Sequence, residues 1–199
     1  MPSAVKPPKM PGFLGKRAQL GFVVADLDAA LDYWTGTLGV GPFVVIESSK
    51  GDRRIVHRGR ETDMDMTLCF AYMGDIQIEI IRQTNDAPSA YKEFTDRGQS
   101  GLHHIAFWPE DFDAACAHLE ASGFTEVTSF YMPDGTRNVA YYETPRAVGS
   151  LVEIVPMTPA RTAYFSRIQR LSETWDGSTR PVRRFADRAA FLASGEGAA

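Results

Sequence analysis

Two cysteines in 199 residues, Cys69 and Cys116, are too few for a disulfide framework and carry no metal-ligand or redox spacing. Both sit among apolar neighbours, so they are expected to be reduced, buried thiols of a cytoplasmic protein. Long apolar runs are missing as well. Those present, such as Phe43-Val44-Val45-Ile46, fall far short of a bilayer span, and no membrane partner is expected. Nor is there an excess of basic charge: 21 Lys plus Arg stand against 25 Asp plus Glu, a net charge of -4 that argues against nucleic acid as a partner. Residues 1–9 hold lysines and prolines with no apolar stretch behind them, so a secretory signal is not expected. Histidine is scarce, at four residues. What is present, 44% hydrophobic residues with 11% aromatics, is not the composition of a disordered chain and suffices for one ordinary domain or two very small ones.

Residues 1–16, with four prolines and two glycines, read as an extended arm. Periodic sequence then begins. Leu20 to Val24 predicts a strand, and Asp26 opens a helix whose apolar face is Leu27, Ala30, Leu31, Trp34 and Leu38, with Gly39 as its stop. Strands are predicted at Phe43 to Glu47, Met66 to Tyr72 and Ile76 to Arg82, the last two joined by Met73-Gly74-Asp75. A polar stretch from Thr84 to Ser100, with room for a short helix, separates this series from a second one. There His104 to Trp108 reads as a strand, and Asp111 opens a helix with Phe112, Ala115, Cys116 and Leu119 inside and Gly123 at its end. Glu126 to Tyr131, Asn138 to Tyr142 and Ser150 to Val155 read as three more strands.

The two series superpose at the level of residues. Gln19 is followed seven positions later by Asp26-Leu27-Asp28-Ala29-Ala30, and His104 is followed seven positions later by Asp111-Phe112-Asp113-Ala114-Ala115. The closing strands match too, Ile78-Glu79-Ile80-Ile81 against Val152-Glu153-Ile154-Val155. Gln19 and His104 are 85 apart whereas Glu79 and Glu153 are 74 apart, so the first unit carries 11 extra residues, assigned to the stretch from Ser48 to Asp65. Each unit thus offers one polar side chain on its first strand and one carboxylate within an apolar last strand. A single such Glu is explained by an arginine partner or an edge strand, and His104 alone by an ordinary strand histidine. Two carboxylates at equivalent positions call for a shared cation. If the units pack about a pseudo-twofold axis, Gln19, Glu79, His104 and Glu153 meet, and their donor set suits one divalent ion such as Zn, Ni, Co, Mn or Fe.

On these segments, Gln19-Leu-Gly-Phe-Val-Val-Ala-Asp-Leu-Asp-Ala-Ala, Gly101-Leu-His-His-Ile-Ala-Phe and Gly149-Ser-Leu-Val-Glu-Ile-Val, the chain resembles the vicinal oxygen chelate superfamily, over about Ala18 to Met157. That superfamily includes glyoxalase I, methylmalonyl-CoA epimerase and extradiol dioxygenases. The resemblance implies an α+β fold in which two βαβββ modules form an open mixed β-sheet cup around a shared metal site. The expected layout is module one over 17–84, module two over 100–158 and a helical tail over 159–199. The family's four ligand places fall on Gln19, Glu79, His104 and Glu153, a set similar to the zinc type of glyoxalase I. Glu153 and its counterpart Glu79 are then implied as catalytic carboxylates. The arginine that holds glutathione in those enzymes, four residues after the first ligand, is replaced by Val23. His103 should point away from His104 across the strand, and His57 and His118 are weaker ligand candidates.

The resemblance implies a metal-dependent isomerase, epimerase or lyase acting through an enolate-type intermediate on a small oxygenated or thioester substrate, in a homodimeric cytoplasmic protein. The alternatives are a metal-independent, drug-sequestering binding protein of the same fold and, less favoured with one ligand histidine, an extradiol-type dioxygenase. The stretch Arg53, Arg54, His57, Arg58 and Arg60 is read either as a binding loop for a carboxylate or CoA phosphates, or as a solvated basic loop balanced by Glu61, Asp63 and Asp65. Tyr164, Phe165, Ile168, Leu171 and Trp175 fall on one helical face of the tail, which is expected to dock on the domain or on a second subunit.

Overall fold

Both aspartates that open a helix in the sequence cap one. Asp26 Oδ1 accepts the Ala29 N–H at 3.0 Å ahead of α1 (Leu27–Asp32), and Asp111 Oδ1 accepts the Ala114 N–H at 2.9 Å ahead of α3 (Phe112–Ala121). Past α1 the chain makes one π-type turn over Tyr33–Thr37, in which the Leu38 N–H reaches back to the Tyr33 carbonyl at 3.1 Å, and it ends on the left-handed Gly39. These details belong to a computed structural model that describes residues 14–15, 18–145 and 149–198. Apart from 14 and 15, the arm expected over residues 1–16 lies outside the described residues.

Around the helices runs one open, mixed sheet of eleven strands: β1 (Ala18–Val23), β2 (Phe43–Ile46), β3 (Arg54–His57), β4 (Arg60–Thr62), β5 (Met66–Met73), β6 (Ile76–Gln83), β7 (Gly101–Phe107), β8 (Thr125–Tyr131), β9 (Arg137–Glu143), β10 (Leu151–Ile154) and β11 (Val182–Phe185). Their spatial order is β11-β2-β5-β6-β1-β7-β10-β9-β8-β3-β4. The inner eight form two mirrored blocks. β1 and β7 meet antiparallel at the centre, each is flanked by the parallel last strand of its own unit, and the other strands follow antiparallel. The fold is therefore α+β, as the repeat implied.

The pleat sorts the side chains onto two faces. Leu20, Phe22, Ile78 and Ile80 pack with Leu27 and Leu31 of α1, while Val152 and Ile154 pack with Ala115, Cys116 and Leu119 of α3. The alternate residues, Gln19, Glu79 and Glu153, face the other way. Cys69 and Cys116 are buried free thiols within these two helix-side clusters.

Two segments differ from the sequence reading. The basic stretch expected as a loop forms the hairpin β3–β4, and β3 pairs antiparallel with β8 of the second unit, setting Ile55 opposite Phe130. Ile55 is fully buried among Met64, Phe130 and Val139, so burial of one apolar residue overrides the charged neighbours. The tail is not wholly helical either. After α4 (Pro159–Glu173) the chain adds β11 parallel to β2 and closes with α5 (Arg188–Ala193).

Helix α4 starts on Thr158, whose Oγ1 accepts the Arg161 N–H at 3.1 Å. It lays Tyr164, Phe165, Ile168 and Leu171 over Phe70, Tyr72 and Trp108, with the rings of Trp108 and Phe165 stacked at 5.0 Å. Trp175 is not on that face. It lies beyond the helix, beside Gly41, with its Nε1 donating to the Thr179 carbonyl at 2.9 Å. A short helix α2 (Ala90–Asp96), capped by Ser89, occupies the polar connection between the units. Among the described residues no helix is long and apolar enough to cross a membrane.

Candidate metal centre

On the face opposite α1 and α3, adjacent strands bring three side chains to one point. In the register, Gly21 of β1 is opposite both Glu79 of β6 and His104 of β7, and Glu153 of β10 lies beside Ala106 of β7. His104 Nε2 stands 3.1 Å from Glu153 Oε2 and 3.4 Å from Glu79 Oε2. All three groups are buried, and these three atoms make ion-pair contacts with one another but no well-formed hydrogen bond. Buried polar atoms without partners are costly and uncommon in native proteins. Their spacing supplies the explanation. Ligands about 2.1 Å from one divalent ion are about 3.0 Å apart on an octahedral edge and about 3.4 Å apart on a tetrahedral one. The donor set therefore fits a divalent cation, and the same group is one whose ligand atoms all lie within 4.8 Å of one another.

Without an ion the site traps protons. Burial alone would depress His104, but Glu153 and then Glu79 outweigh it and raise the imidazole to about 9. Burial also raises the Glu79 carboxyl, against the pull of His104. Gln19, the fourth residue expected here, is buried beside the triad and lines the same cavity. Its Nε2 donates to Gln77 Oε1 at 2.6 Å, and Gln77 Nε2 donates in turn to the Tyr72 hydroxyl at 2.9 Å. That chain leaves the Gln19 carbonyl oxygen as the group free to join the triad. Gln77 went unrecognised in the sequence, although it is two residues before Glu79 and so shares its face.

His103 departs from the strand alternation. The pairing of β1 with β7 shifts by one residue at Leu102–His104, and this bulge leaves both histidines on one side of the sheet. His103 Nε2 contacts the Ala90 carbonyl at 3.3 Å, and its Nδ1 contacts His104 Nδ1 at 3.1 Å. A carbonyl only accepts, so His103 carries its proton on Nε2 and accepts the Nδ1 proton of His104. The relay directs His104 Nε2 at the two carboxylates. Burial, helped by the charge of His104, lowers His103 to about 3 and keeps it neutral. The other histidines are elsewhere: His57, buried in β3, contacts Thr128 and Glu93, and His118 is on the exposed side of α3.

The two glutamates of the triad line a cavity of about 950 Å³. Tyr91 and Tyr141 line it with their hydroxyls 2.8 Å apart, and burial together with the nearby Glu153 and Glu79 charges holds both phenols protonated. Trp108, Phe165, Phe70 and Phe130 form apolar wall. Of the five basic residues in the hairpin segment only Arg53 reaches the cavity. Arg54 stacks on Tyr131, Arg60 is exposed, and Arg58 pairs with Glu93 and Glu143 rather than with the acidic residues of its own loop.

The family model that matches residues 18–141, more than half the chain, is that of the glyoxalase/bleomycin resistance protein/dioxygenase superfamily. The chain belongs to that superfamily. Within this glyoxalase-type fold, a methylmalonyl-CoA epimerase from Mycobacterium tuberculosis is similar at 22% identity, covering 76% of this chain and 94% of its own, with a TM-score of 0.52. A hypothetical protein from Bacillus halodurans C-125 is similar at 17% identity, 72% and 94% coverage and a TM-score of 0.52. No curated protein matches the sequence. At these identities the solved structures speak to the glyoxalase-type fold, and the chemistry has to be argued from the triad.

Proposed function

We propose that the chain is a divalent-metal-dependent isomerase, epimerase or lyase that moves a proton next to a carbonyl of a small oxygenated or thioester substrate. The supporting observation is the buried cluster of Glu79 Oε2, His104 Nε2 and Glu153 Oε2, with the carboxylate oxygens 3.4 Å and 3.1 Å from the imidazole and both glutamates lining the cavity. Zinc is the ion we favour, held by these three residues with Gln19 as the fourth. Bound there, a divalent ion supplies Lewis acidity to substrate oxygens.

The rest of the chemistry belongs to side chains. Glu153, acting through its second oxygen, is our general base for the proton alpha to the carbonyl, leaving an enolate-type intermediate. Glu79, at the pseudo-symmetric position, is our group for returning a proton, which its second oxygen takes up from solvent. Proton removal and return by different carboxylates gives epimerisation or isomerisation, and loss of a leaving group from the enolate gives lyase chemistry. Of the hydrogen-bonded phenols Tyr91 and Tyr141, one donates to the other and the second keeps a proton to offer developing negative charge, while the stacked Trp108 and Phe165 rings give the cavity apolar wall. Ring cleavage by iron is disfavoured because its usual site needs two histidines and one carboxylate.

Metal analysis of the purified chain, before and after reconstitution with Zn, Ni, Co or Mn, tests the reading. About one ion per chain in wild type, lost in Glu79→Gln, is expected. A content below about a tenth of an ion per chain after every reconstitution sinks the metalloenzyme and leaves a binding protein of the same fold. With metal present, Glu153→Gln should abolish alpha-proton exchange with deuterated solvent in a nuclear magnetic resonance screen of oxo acids, hydroxy acids and acyl thioesters. Unaltered exchange removes Glu153 from the base role.

A further inference from the structure

Four guanidinium groups line the cavity, those of Arg53 before β3, Arg137 in β9, Arg161 in α4 and Arg188 at the start of α5, along with Lys50 and the carboxylates of Asp52, Asp113, Asp134 and Asp187. Arg58, Arg137, Arg180, Arg183 and Arg184 all meet carboxylates. Arg53, Arg161 and Arg188 have none within 4.0 Å among the described residues. Their bonds go to backbone carbonyls. Arg53 Nε donates to Lys50 at 2.9 Å, Arg161 NH1 donates to Pro156 at 2.7 Å, and Arg188 NH2 donates to Ala160 at 3.0 Å. Such bonds orient a guanidinium without neutralising it.

The groups are also close enough to repel one another. Burial pushes Arg161 down to about 10, and the charges of Arg188 and Arg53 push the same way. Arg53 is lowered chiefly by burial and further by Arg188. Glu153 offsets part of this, but its charge and that of Glu79 are answered at the triad once an ion is held there. An unneutralised cationic wall then faces a site built for substrate oxygens. This step rests on the metal-centred reading above.

We propose that the cavity takes an organic acid. Its carboxylate or phosphate is gripped by Arg53, Arg161 and Arg188, its apolar body lies along Trp108, Phe165 and Phe130, and its reacting carbon reaches the triad. Guanidinium forks suit such oxyanions because they bind two oxygens at once. A volume of about 950 Å³ accommodates a ligand of this kind. All three arginines lie outside the repeated strands and helices, in the hairpin segment and the tail. The additions to the duplicated core therefore select the substrate, while the core supplies the chemistry.

Calorimetric titration of the full chain with 2-naphthoate, 2-naphthyl phosphate and the neutral 2-naphthamide tests this, in zinc-loaded and chelator-treated protein. At least one acid should bind about tenfold or more tighter than the amide, a difference of about 1.4 kcal/mol, and the tighter of the two identifies the head group. Arg53→Gln and Arg161→Gln should each remove most of that preference, whereas Arg54→Gln and Arg60→Gln should leave it. Should Arg53→Gln fail to fold, Arg161→Gln and Arg53→Lys carry the test. The lysine keeps the charge without the fork and should lose part of the preference. Equal binding of acid and amide, no saturable binding of either acid, or a preference untouched by both Gln variants overturns the proposal. A preference that vanishes on chelation and survives both variants puts the acid on the ion, which overturns the arginine wall but not the metalloenzyme. Preference in chelated protein that takes up no metal supports the wall while the metalloenzyme fails.

Discussion

The imidazole of His104 lies flat against Gly21, so close that a methyl group there would fall 1.9 Å from its Cε1 and 2.2 Å from its Nε2. The two residues are direct partners in the β1–β7 ladder, and the ring occupies the space where a side chain of β1 would stand. Glycine is required here for room rather than for an unusual backbone. Gly21→Ala must push His104 away from Glu79 and Glu153. We expect zinc affinity to fall at least about 10–100-fold, the range for disturbing a ligand's support, while the far-ultraviolet circular dichroism persists. Unchanged affinity in a folded variant would show that His104 is not a ligand.

The histidine pair gives a second expectation. His103 accepts the Nδ1 proton of His104 and passes the restraint to the Ala90 carbonyl. His103→Phe keeps a ring among Tyr91 and Phe94 but removes the acceptor, so metal affinity should fall by about 10–100-fold, and His103→Gln should restore part of it. A merely structural role would lower the melting temperature of both variants and leave the affinity alone.

Much of this was legible in the sequence because it rests on short-range rules. Alternation alone puts Gln19 and Glu79 on the face opposite Leu20 and Ile80, and the two Asp caps with their Gly stops bracket α1 and α3. The less legible parts depend on contacts distant in the chain. β3 is a strand because β8 lies beside it, and its Arg58 finds Glu93 and Glu143, 35 and 85 residues away. β11 exists by pairing with β2, which sets Arg184 opposite Val45, and Arg184 also reaches Glu47, 137 residues earlier. The orientation of His103 turns on a one-residue bulge, and strict alternation gives the opposite answer. Arg161 and Arg188 were hidden in a tail whose apolar stripe reads only as a docking face.

The clamp between β3 and α2 has its own pH dependence. Arg58 first, and His57 after it, hold the Glu93 carboxyl down at about 2 from an ordinary value of 4.5. A depressed carboxyl contributes stability that is present above 4.5 and lost as pH falls through about 2. Glu93 is partly exposed, so the contribution is modest, about 1 kcal/mol. Wild type should therefore melt above Glu93→Gln at neutral pH, and the gap should close as pH drops from about 4.5 towards 2. A gap that is constant across that range would mean that the clamp's charge contributes nothing.

The triad should exchange a proton for its ion. In the metal-free chain Glu153 and Glu79 raise His104 to about 9 from 6.5, so at pH 7 the imidazole is charged, with one proton on Nδ1 facing His103 and one on Nε2 facing the carboxylates. A cation can take the Nε2 position only after that proton leaves. Zinc binding at pH 7 should release about one proton from His104, more if Glu79 also gives one up, and affinity should rise about tenfold per pH unit for each proton released. Calorimetry in buffers of different ionisation enthalpy reads the number as a slope, and a slope of zero contradicts the site. The sign for folding is the reverse. Because the folded value is raised, His104 stabilises the metal-free protein fully below pH 6.5, and that stability is lost as pH rises through about 9. Metal-free protein should thus lose melting temperature between pH 6.5 and 9, and zinc-loaded protein, with the Nε2 proton already gone, should not.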